Sequence, residues 1–326
     1  MATYYGTYGQ KVQYLASDPS DPQIGQVWYN STSAVLKVRQ TVATNSWASG
    51  GTLPAGTRIA GGAGTQTAAI VFAGISPGNA AQTTTRYYDG TTWSTPPASM
   101  STGRYGIGSA NAGSQTAALG FGGDLVGPIT AATESYNGTS WTTVNSLNTA
   151  RANVGGAGIQ TAALAFGGSN PPGTNLTSTE TWNGTSWTAS GALPVAKRLM
   201  AGFGIQTAAI SAGGESPIVA TTESFNGSTW TAVSSMNTAR TLLGGVGTQT
   251  AGLGFGGYAG GVNLTATELW NGTSWTSNPT GLGAAVYGPA GSGTQASALS
   301  TGGKPSGTAS EEWTGTVISS RTVTVS

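Results

Sequence analysis

The chain has 326 residues, of which only 7% are charged, for a formal net charge of +1. It contains no cysteine and no histidine, which removes the common zinc sites, thiol nucleophiles and a Ser-His-Asp triad. Without a basic field it is not expected to bind nucleic acid, and without an 18-residue apolar run it is not expected to span a membrane.

The first fifteen residues, MATYYGTYGQKVQYL, hold no apolar core of signal-peptide length. Residues 1–25 read as a leader. After them come three β-prone runs, QVWYN, AVLKVRQ and NSWASGG, ending near residue 57.

From there the chain repeats itself. Gln-Thr recurs at 66, 115, 160, 206 and 249, with Gln-Ala at 295, so the intervals are 49, 45, 46, 43 and 46 residues. A period near 45 marks an array of supersecondary units. The unit that opens at Arg104 holds four β-prone stretches, at about 105–110, 115–122, 132–137 and 139–144. No window carries a helical apolar period, and 53 residues are glycine, so helix is excluded and the fold class is all-β.

The last two stretches meet in a motif written YYDGTTW at 87, ESYNGTSW at 134, ETWNGTSW at 180, ESFNGSTW at 223 and ELWNGTSW at 268. An aromatic, Asn-Gly or Asp-Gly, hydroxylated residues and a Trp predict a β-hairpin whose tight turn needs positive φ at its centre. The flanking aromatics, Tyr136 and Trp141 in one copy, are expected to cover each other across it. Asn-X-Ser/Thr occurs at Asn30, Asn137, Asn175, Asn183, Asn226, Asn263 and Asn271; four of these are the Asn-Gly turn, which reads as a turn rather than a glycosylation acceptor.

In the second strand neither face is polar. Ile70, Leu119, Leu164, Ile210, Leu253 and Leu299 form one column, and Phe72, Phe121, Phe166, Ala212, Phe255 and Thr301 the next. A strand buried on both sides fits a β-propeller blade, wedged between its neighbours near the axis where glycines permit close approach. Trp47 falls 46 residues before Trp93, so the fourth-strand column begins before the first full unit. The expected partition is a propeller over 26–326, with a partial blade at 26–57 and repeats at about 58–103, 104–150, 151–197, 198–239, 240–283 and 284–326. Seven blades are favoured over six, with the C-terminal strand RTVTVS completing the partial blade and tying the ends together.

An Arg opening the first strand, Gly-Gly closing the second, an aromatic on the third and a Trp on the fourth resemble the kelch repeat. The Arg column reads Arg58, Arg104, Arg151, Arg198 and Arg240, and the diglycines stand at 122–123, 167–168, 213–214, 256–257 and 302–303. The third-strand aromatics are Tyr88, Tyr136, Trp182, Phe225, Trp270 and Trp313; the fourth-strand tryptophans are Trp93, Trp141, Trp187, Trp230 and Trp275. The resemblance covers roughly residues 47–315 and implies a propeller. The first unit departs from it with Ala73-Gly74, and the last lacks the Arg and the second Trp. Glu134, Glu180, Glu223, Glu268 and Glu311 recur before the third-strand aromatics, and their regular spacing with the arginines points to structural pairing rather than catalysis.

Residues 18–38, DPSDPQIGQVWYNSTSAVLKV, resemble a segment of bacteriophage tail-fibre and appendage proteins, those of marine bacteria in particular. That resemblance implies a virion structural protein, made in the host cytoplasm without a signal peptide, oligomeric in the particle and in contact with other virion proteins. A host-surface glycan or protein is the further partner it implies. Alternatives are a capsid- or neck-decorating protein without a receptor role and, less favoured, a carbohydrate-active enzyme. The non-periodic acids Asp18, Asp21, Asp89, Asp124, Glu215 and Glu312 are too scattered to nominate the carboxylate pair a glycosidase needs. No catalytic residue, metal or cofactor is expected.

In a propeller the second-to-third and fourth-to-first connections share one face, and the hairpins share the other. The first set varies between copies while the hairpins barely change. Variation on one face of a rigid scaffold marks a recognition surface, with Asp124, Asn170, Asn175, Glu215, Tyr258 and Lys304 as candidate contacts.

Overall fold

The computed structural model describes residues 12–171, 173–215 and 217–323, and these are strands, bridges and turns without helix. They divide into two compact units: Ser46–Trp313, and Met1–Asn45 with Thr314–Ser326.

The larger unit is a β-propeller of four-stranded antiparallel blades. Blade 1 consists of Gly61–Thr65, Ala68–Phe72, Thr85–Tyr88 and Trp93–Ser94, and blade 2 of Gly108–Ser109, Ala118–Phe121, Thr133–Tyr136 and Trp141–Val144. Blade 3 runs through Gly155–Ile159, Ala162–Phe166, Thr179–Trp182 and Trp187–Ser190, and blade 4 through Ala201–Ile205, Ala208–Ala212, Thr222–Phe225 and Trp230–Val233. Blade 5 holds Gly244–Thr248, Ala251–Phe255, Thr267–Trp270 and Trp275–Asn278. Blade 6 is composite: Ala290–Gly293 and Ser297–Thr301 are followed by residues 310–313 and completed by residues 46–49.

The described residues thus make six blades, the smaller of the two counts the sequence left open. The innermost strands touch in cyclic order, the first strand of blade 6 lying against that of blade 1. The expected seventh blade does not form, because its Trp47 strand is the outer strand of blade 6. Residues 321–323 of RTVTVS belong to the smaller unit, so they do not close the ring; residues 324–326 of that run lie outside the described residues, as do residues 1–11 of the leader.

Each repeated letter has a bond to make. The fourth-strand indoles Trp47, Trp93, Trp141, Trp187, Trp230 and Trp275 each donate Nε1–H to the hydroxyl that opens the third strand of the preceding blade, at 2.8–3.2 Å. Trp93 of blade 1 reaches Ser310 of blade 6, and Trp47 of blade 6 reaches Thr267 of blade 5. The Gln of Gln-Thr does the same work at the opposite corner. Gln115 Nε2 donates to Ala69 O and Tyr88 O at 2.9 and 2.8 Å, and Gln66 Nε2 donates to Ala298 O and Trp313 O at 3.0 and 2.8 Å. A buried indole or amide left without an acceptor would cost about 1–3 kcal/mol, so each blade specifies its neighbour.

Aromatic rings fill the seams. Tyr136 and Trp141 face each other across their hairpin at 5.0 Å, and Trp141 also meets Phe72 of the preceding blade at 4.7 Å. The second strand is buried on both sides in every complete blade, Phe72, Phe121, Phe166 and Phe255 being wholly inaccessible. Nearer the axis the inner strands approach backbone to backbone. A Cβ on Gly156 would sit 2.3 Å from Ser109 O, and one on Gly202 would sit 2.4 Å from Gly156 O, so only glycine fits.

The hairpin turn differs from the one expected. Tyr136 pairs with Trp141, leaving a four-residue loop in which Gly138 has φ 93° and Asn137 stays in the ordinary region. Asn137 Oδ1 instead accepts the backbone N–H groups of Thr139 and Ser140 at 3.0 and 2.8 Å, and the Thr139 hydroxyl at 2.9 Å. The side chain closes the turn, which is why hydroxylated residues follow Asn-Gly. In blade 1 Asp89 plays this part, and the donors of Thr92 and Thr91 hold its carboxyl well below the usual range.

The charged columns are buried ion pairs inside blades. Arg104–Glu134, Arg151–Glu180, Lys197–Glu223 and Arg240–Glu268 meet at 2.9, 2.7, 2.5 and 3.1 Å, every side chain at most 4% exposed. Desolvation pulls the cations below their ordinary pKa values, Arg240 to about 10, against the attraction of the glutamates. Two members of the sequence column need correction. Lys197, not Arg198, carries the charge in blade 4, and Thr57, not Arg58, holds the position in blade 1. Backbone bonds set the register: the second residue of each diglycine pair, or Gly74 in its place, donates at 2.8–3.0 Å to the carbonyl of Thr57, Arg104, Arg151, Lys197, Arg240 or Val286. Blade 1 fills its slot from the third strand, where Arg86 replaces the usual glutamate, is 1% exposed and donates to Gln82 Oε1 at 2.9 Å. Glu311 of blade 6 meets Val286 in that column and accepts the N–H of Gly283 instead, at 2.6 Å.

In the smaller unit, Gln13–Leu15 runs parallel to Val27–Asn30, which pairs antiparallel with residues 35–38. The letters of the 18–38 segment meet at one carboxylate. Asp18 Oδ1 accepts Trp28 Nε1–H at 3.0 Å and Asn30 Nδ2–H at 2.7 Å, while Oδ2 takes Lys37 Nζ at 2.6 Å. These donors, Lys37 first, lower the Asp18 pKa to about 2. A group depressed in the folded state contributes stability that is present above its ordinary value near 4 and lost as pH falls toward 2. An NMR titration should therefore place the Asp18 midpoint near 2, and Asp18→Asn should remove the acid-induced change at Trp28; a midpoint near 4 contradicts the geometry.

Candidate functional site

Strand order places the second-to-third and fourth-to-first connections on one rim of the propeller and the Asn-Gly hairpins on the other. On the variable rim the two connections of each blade pair through isolated bridges. Arg58 pairs with Ile75, Tyr105 with Asp124, Ala152 with Ser169, Arg198 with Glu215, Thr241 with Tyr258 and Tyr287 with Lys304. These twelve positions surround the axis, so the side chains offered to a ligand are set by the letter at each.

At the centre of this rim a ring of backbone hydrogen bonds closes on itself. Ile59 N–H donates to Gly288 O, Gly288 to Leu242, Leu242 to Leu199, Leu199 to Asn153, Asn153 to Gly106 and Gly106 back to Ile59, at 2.6–3.1 Å. All six residues have φ between 53° and 68°. Left-handed backbone at Ile and Leu is costly, and here the six bonds hold it in place. Six blades satisfy this ring, and the chain is covalently continuous around it except inside blade 6, where the strand at residues 46–49 joins by sheet pairing.

A side chain crosses the axis beneath the ring. Gly106 and Gln115 are nine residues apart in blade 2, whereas Asn153 and Gln160 are seven apart in blade 3. The two extra residues bulge inward, and Asn111 Nδ2 donates to Gly202 O of blade 4 at 2.6 Å. Blades 2 and 4 are not neighbours, so this bond crosses the channel. A cavity of about 100 Å³ on the variable rim is lined by Ile59, Asn153, Leu199 and Leu242, another of about 100 Å³ by Asn111 and Gly202 among others, and one of about 200 Å³ by Asn111, Thr65, Val246 and Thr248.

The six candidate contacts lie in the connections of the variable rim, in different states. Asp124 is tied down: its carboxylate accepts Gly127 N–H at 2.9 Å and holds the Tyr105 hydroxyl, which raises the Tyr105 pKa after burial itself. Glu215 forms an ion pair with Arg198 at 3.0 Å, both side chains about one-third exposed. Asn170 and Asn175 lie in a two-stranded ribbon, Ser169–Asn170 with Thr174–Asn175, and Asn175 Nδ2 donates to Glu215 O of the next blade at 2.9 Å. Tyr258 packs edge-on against Tyr287 with centroids 5.9 Å apart. Lys304 is exposed and lines a cavity of about 50 Å³ with Arg58, Thr57, Ile75, Pro77 and Pro305.

Sequence reasoning missed the partners from the fourth-to-first connection, Arg58, Tyr105 and Tyr287, because that connection reads as framework. Their variability from copy to copy, Arg, Tyr, Ala, Arg, Thr, Tyr, was the signal. It also missed Asn111, which the longer Gly106–Gln115 spacing marks. Among the described residues no group of three or more acidic side chains is gathered as a metal ligand set would require, and no helix is long and apolar enough to cross a membrane. Neither a scan against family models nor a search of curated proteins finds a match for this chain.

Proposed function

We propose that the chain is a bacteriophage virion structural protein, a kelch-type propeller on a tail fibre or other appendage that contacts neighbouring virion proteins and recognises a host-surface glycan. The observation that carries this reading is the division of labour between the two rims. Trp, Gln, Gly and Asn columns repeat around the ring with the same bonds, while the twelve bridge positions of the other rim carry cations, acids, tyrosines and small residues in no repeating order. A scaffold built on main-chain and indole bonds tolerates such variation without loss of fold, which suits recognition. The propeller acts by binding rather than by catalysis: on the variable rim Asp124 and Glu215 are each held by their own loop partners. The Asp18 hairpin in the smaller unit is the segment that resembles phage appendage proteins, and virion attachment is its proposed role.

Imaging intact particles with antibody to this chain tests the assignment. Label at the tail, together with loss of host adsorption when the variable rim is blocked, is the expected result. Label over the shell with adsorption unchanged would replace it with a decorating protein. Glycan cleavage by the purified protein would make it an enzyme.

A further inference from the structure

We propose that the cavity between blades 6 and 1 on the variable rim binds the anionic substituent, carboxylate or sulfate, of a surface polysaccharide, through Arg58 and Lys304. This rests on the reading of that rim as glycan-recognising and names the chemistry of the ligand.

Arg104, Arg151, Lys197, Arg198 and Arg240 each sit in an ion pair, and Arg86 is buried on Gln82. Arg58 and Lys304 are the two described cations left in this unit, and they line one cavity. Position by position, the contrast with blade 4 is direct. There the bridge partners are Arg198 and Glu215, which neutralise each other at 3.0 Å. In blade 1 the same bridge pairs Arg58 with Ile75, and in blade 6 it pairs Tyr287 with Lys304. Each of two adjacent blades therefore presents a cation where the bridging residue brings no acid.

The guanidinium of Arg58 is positioned by neutral acceptors: Nη2 donates to Asn79 Oδ1 at 2.8 Å and Nη1 to Ser76 O at 3.3 Å. Those bonds orient the fork without cancelling its charge. The rim carboxylate of the neighbouring blade, Asp124, is engaged by Gly127 N–H and the Tyr105 hydroxyl. A volume of about 50 Å³ has room for one carboxylate or sulfate group. Tyr105 and Tyr287 occupy the flanking bridge positions on the rim, a platform for the sugar ring that carries the anion. Arg supplies a planar fork and Lys a point charge, a combination suited to an oxyanion.

Calorimetric titration of the full chain with an oligogalacturonate, a sulfated galactan oligosaccharide and a neutral galactan oligosaccharide tests the site. Saturable binding of at least one anionic ligand, at least tenfold tighter than the neutral one and weakening as salt rises, is expected. Arg58→Gln and Lys304→Gln should each reduce that affinity about tenfold or more, with unchanged melting temperature, whereas Arg198→Gln should leave it unchanged. Which anionic ligand binds distinguishes carboxylate from sulfate. Equal binding of the neutral ligand, no binding of any, or anion binding indifferent to Arg58→Gln and Lys304→Gln overturns the site. If blocking the rim stops adsorption but the two variants compete with particles as well as the wild type does, the receptor reading stands and this site falls. If the anionic ligand binds through these residues but adsorption survives rim blocking, the site stands and the receptor reading falls.

Discussion

Arg151→Ala should lower the unfolding free energy by about 3–5 kcal/mol, the cost of leaving a buried partner charge without its counter-ion. Arg151 is wholly buried and its Nη2 lies 2.7 Å from Glu180 Oε1, while Nη1 donates to Ser178 O at 2.7 Å and Ser178 Oγ at 2.8 Å. Glu180 Oε2 accepts from Asn148 N–H at 2.8 Å and Asn148 Nδ2–H at 2.6 Å, so the carboxylate also holds the connection that precedes its cation. The double variant Arg151→Met with Glu180→Met removes both charges and should lose less than Arg151→Ala alone, because no buried charge is then left unpaired and only the neutral groups of Asn148 and Ser178 lose a partner. Denaturant midpoints of the three proteins decide this. A loss for Arg151→Ala below about 1 kcal/mol would mean that water reaches the pair.

The second large effect concerns the strand that completes blade 6. Trp47→Ala should cost about 3–5 kcal/mol, the range for deleting a packed indole. The side chain bonds Thr267 Oγ1 at 2.9 Å and packs on Phe255 and Trp313, with centroids 5.0 and 5.4 Å away. Its loss differs from that of Trp187, which makes the corresponding hydrogen bond and ring contacts in mid-chain, more deeply buried. Residues 46–49 are joined to blade 6 by packing and sheet bonds alone, so weakening them releases the latch of the ring. Limited proteolysis should therefore cut Trp47→Ala near residue 50 well before it cuts Trp187→Ala, although thermal melts show both destabilised. Equal protease resistance of Trp47→Ala and the wild type would contradict closure by this strand.

Much of this architecture is legible in the order of the amino acids, because its bonds are periodic. The Asn-Gly-Thr-Ser tip is closed within four residues by Asn137 Oδ1, and Gln115 bonds a strand end only 27 residues back. Such short-range chemistry must be written once per blade, so it surfaces as columns: Trp141 with Thr85, Trp187 with Thr133, Trp230 with Thr179. The placing of the six candidate contacts on a common rim followed from the same periodicity and from up-and-down strand order.

What letters alone left open depended on distant partners or on register. Blade number is set by the angle at which packed sheets close, and the closing bonds, Trp93 to Ser310 or Gln66 to Trp313, join residues 217 and 247 positions apart. A repeat unit has no memory of where its array ends, so Trp47 could be matched to its column but not to its blade. The cation column slipped by one residue at Arg58 and Arg198 because two polar neighbours compete for one slot, and the diglycine backbone bonds, invisible in one dimension, choose between them. The same slip places Arg58 on the surface beside Lys304, 246 residues away along the chain and adjacent in space only because the ring closes.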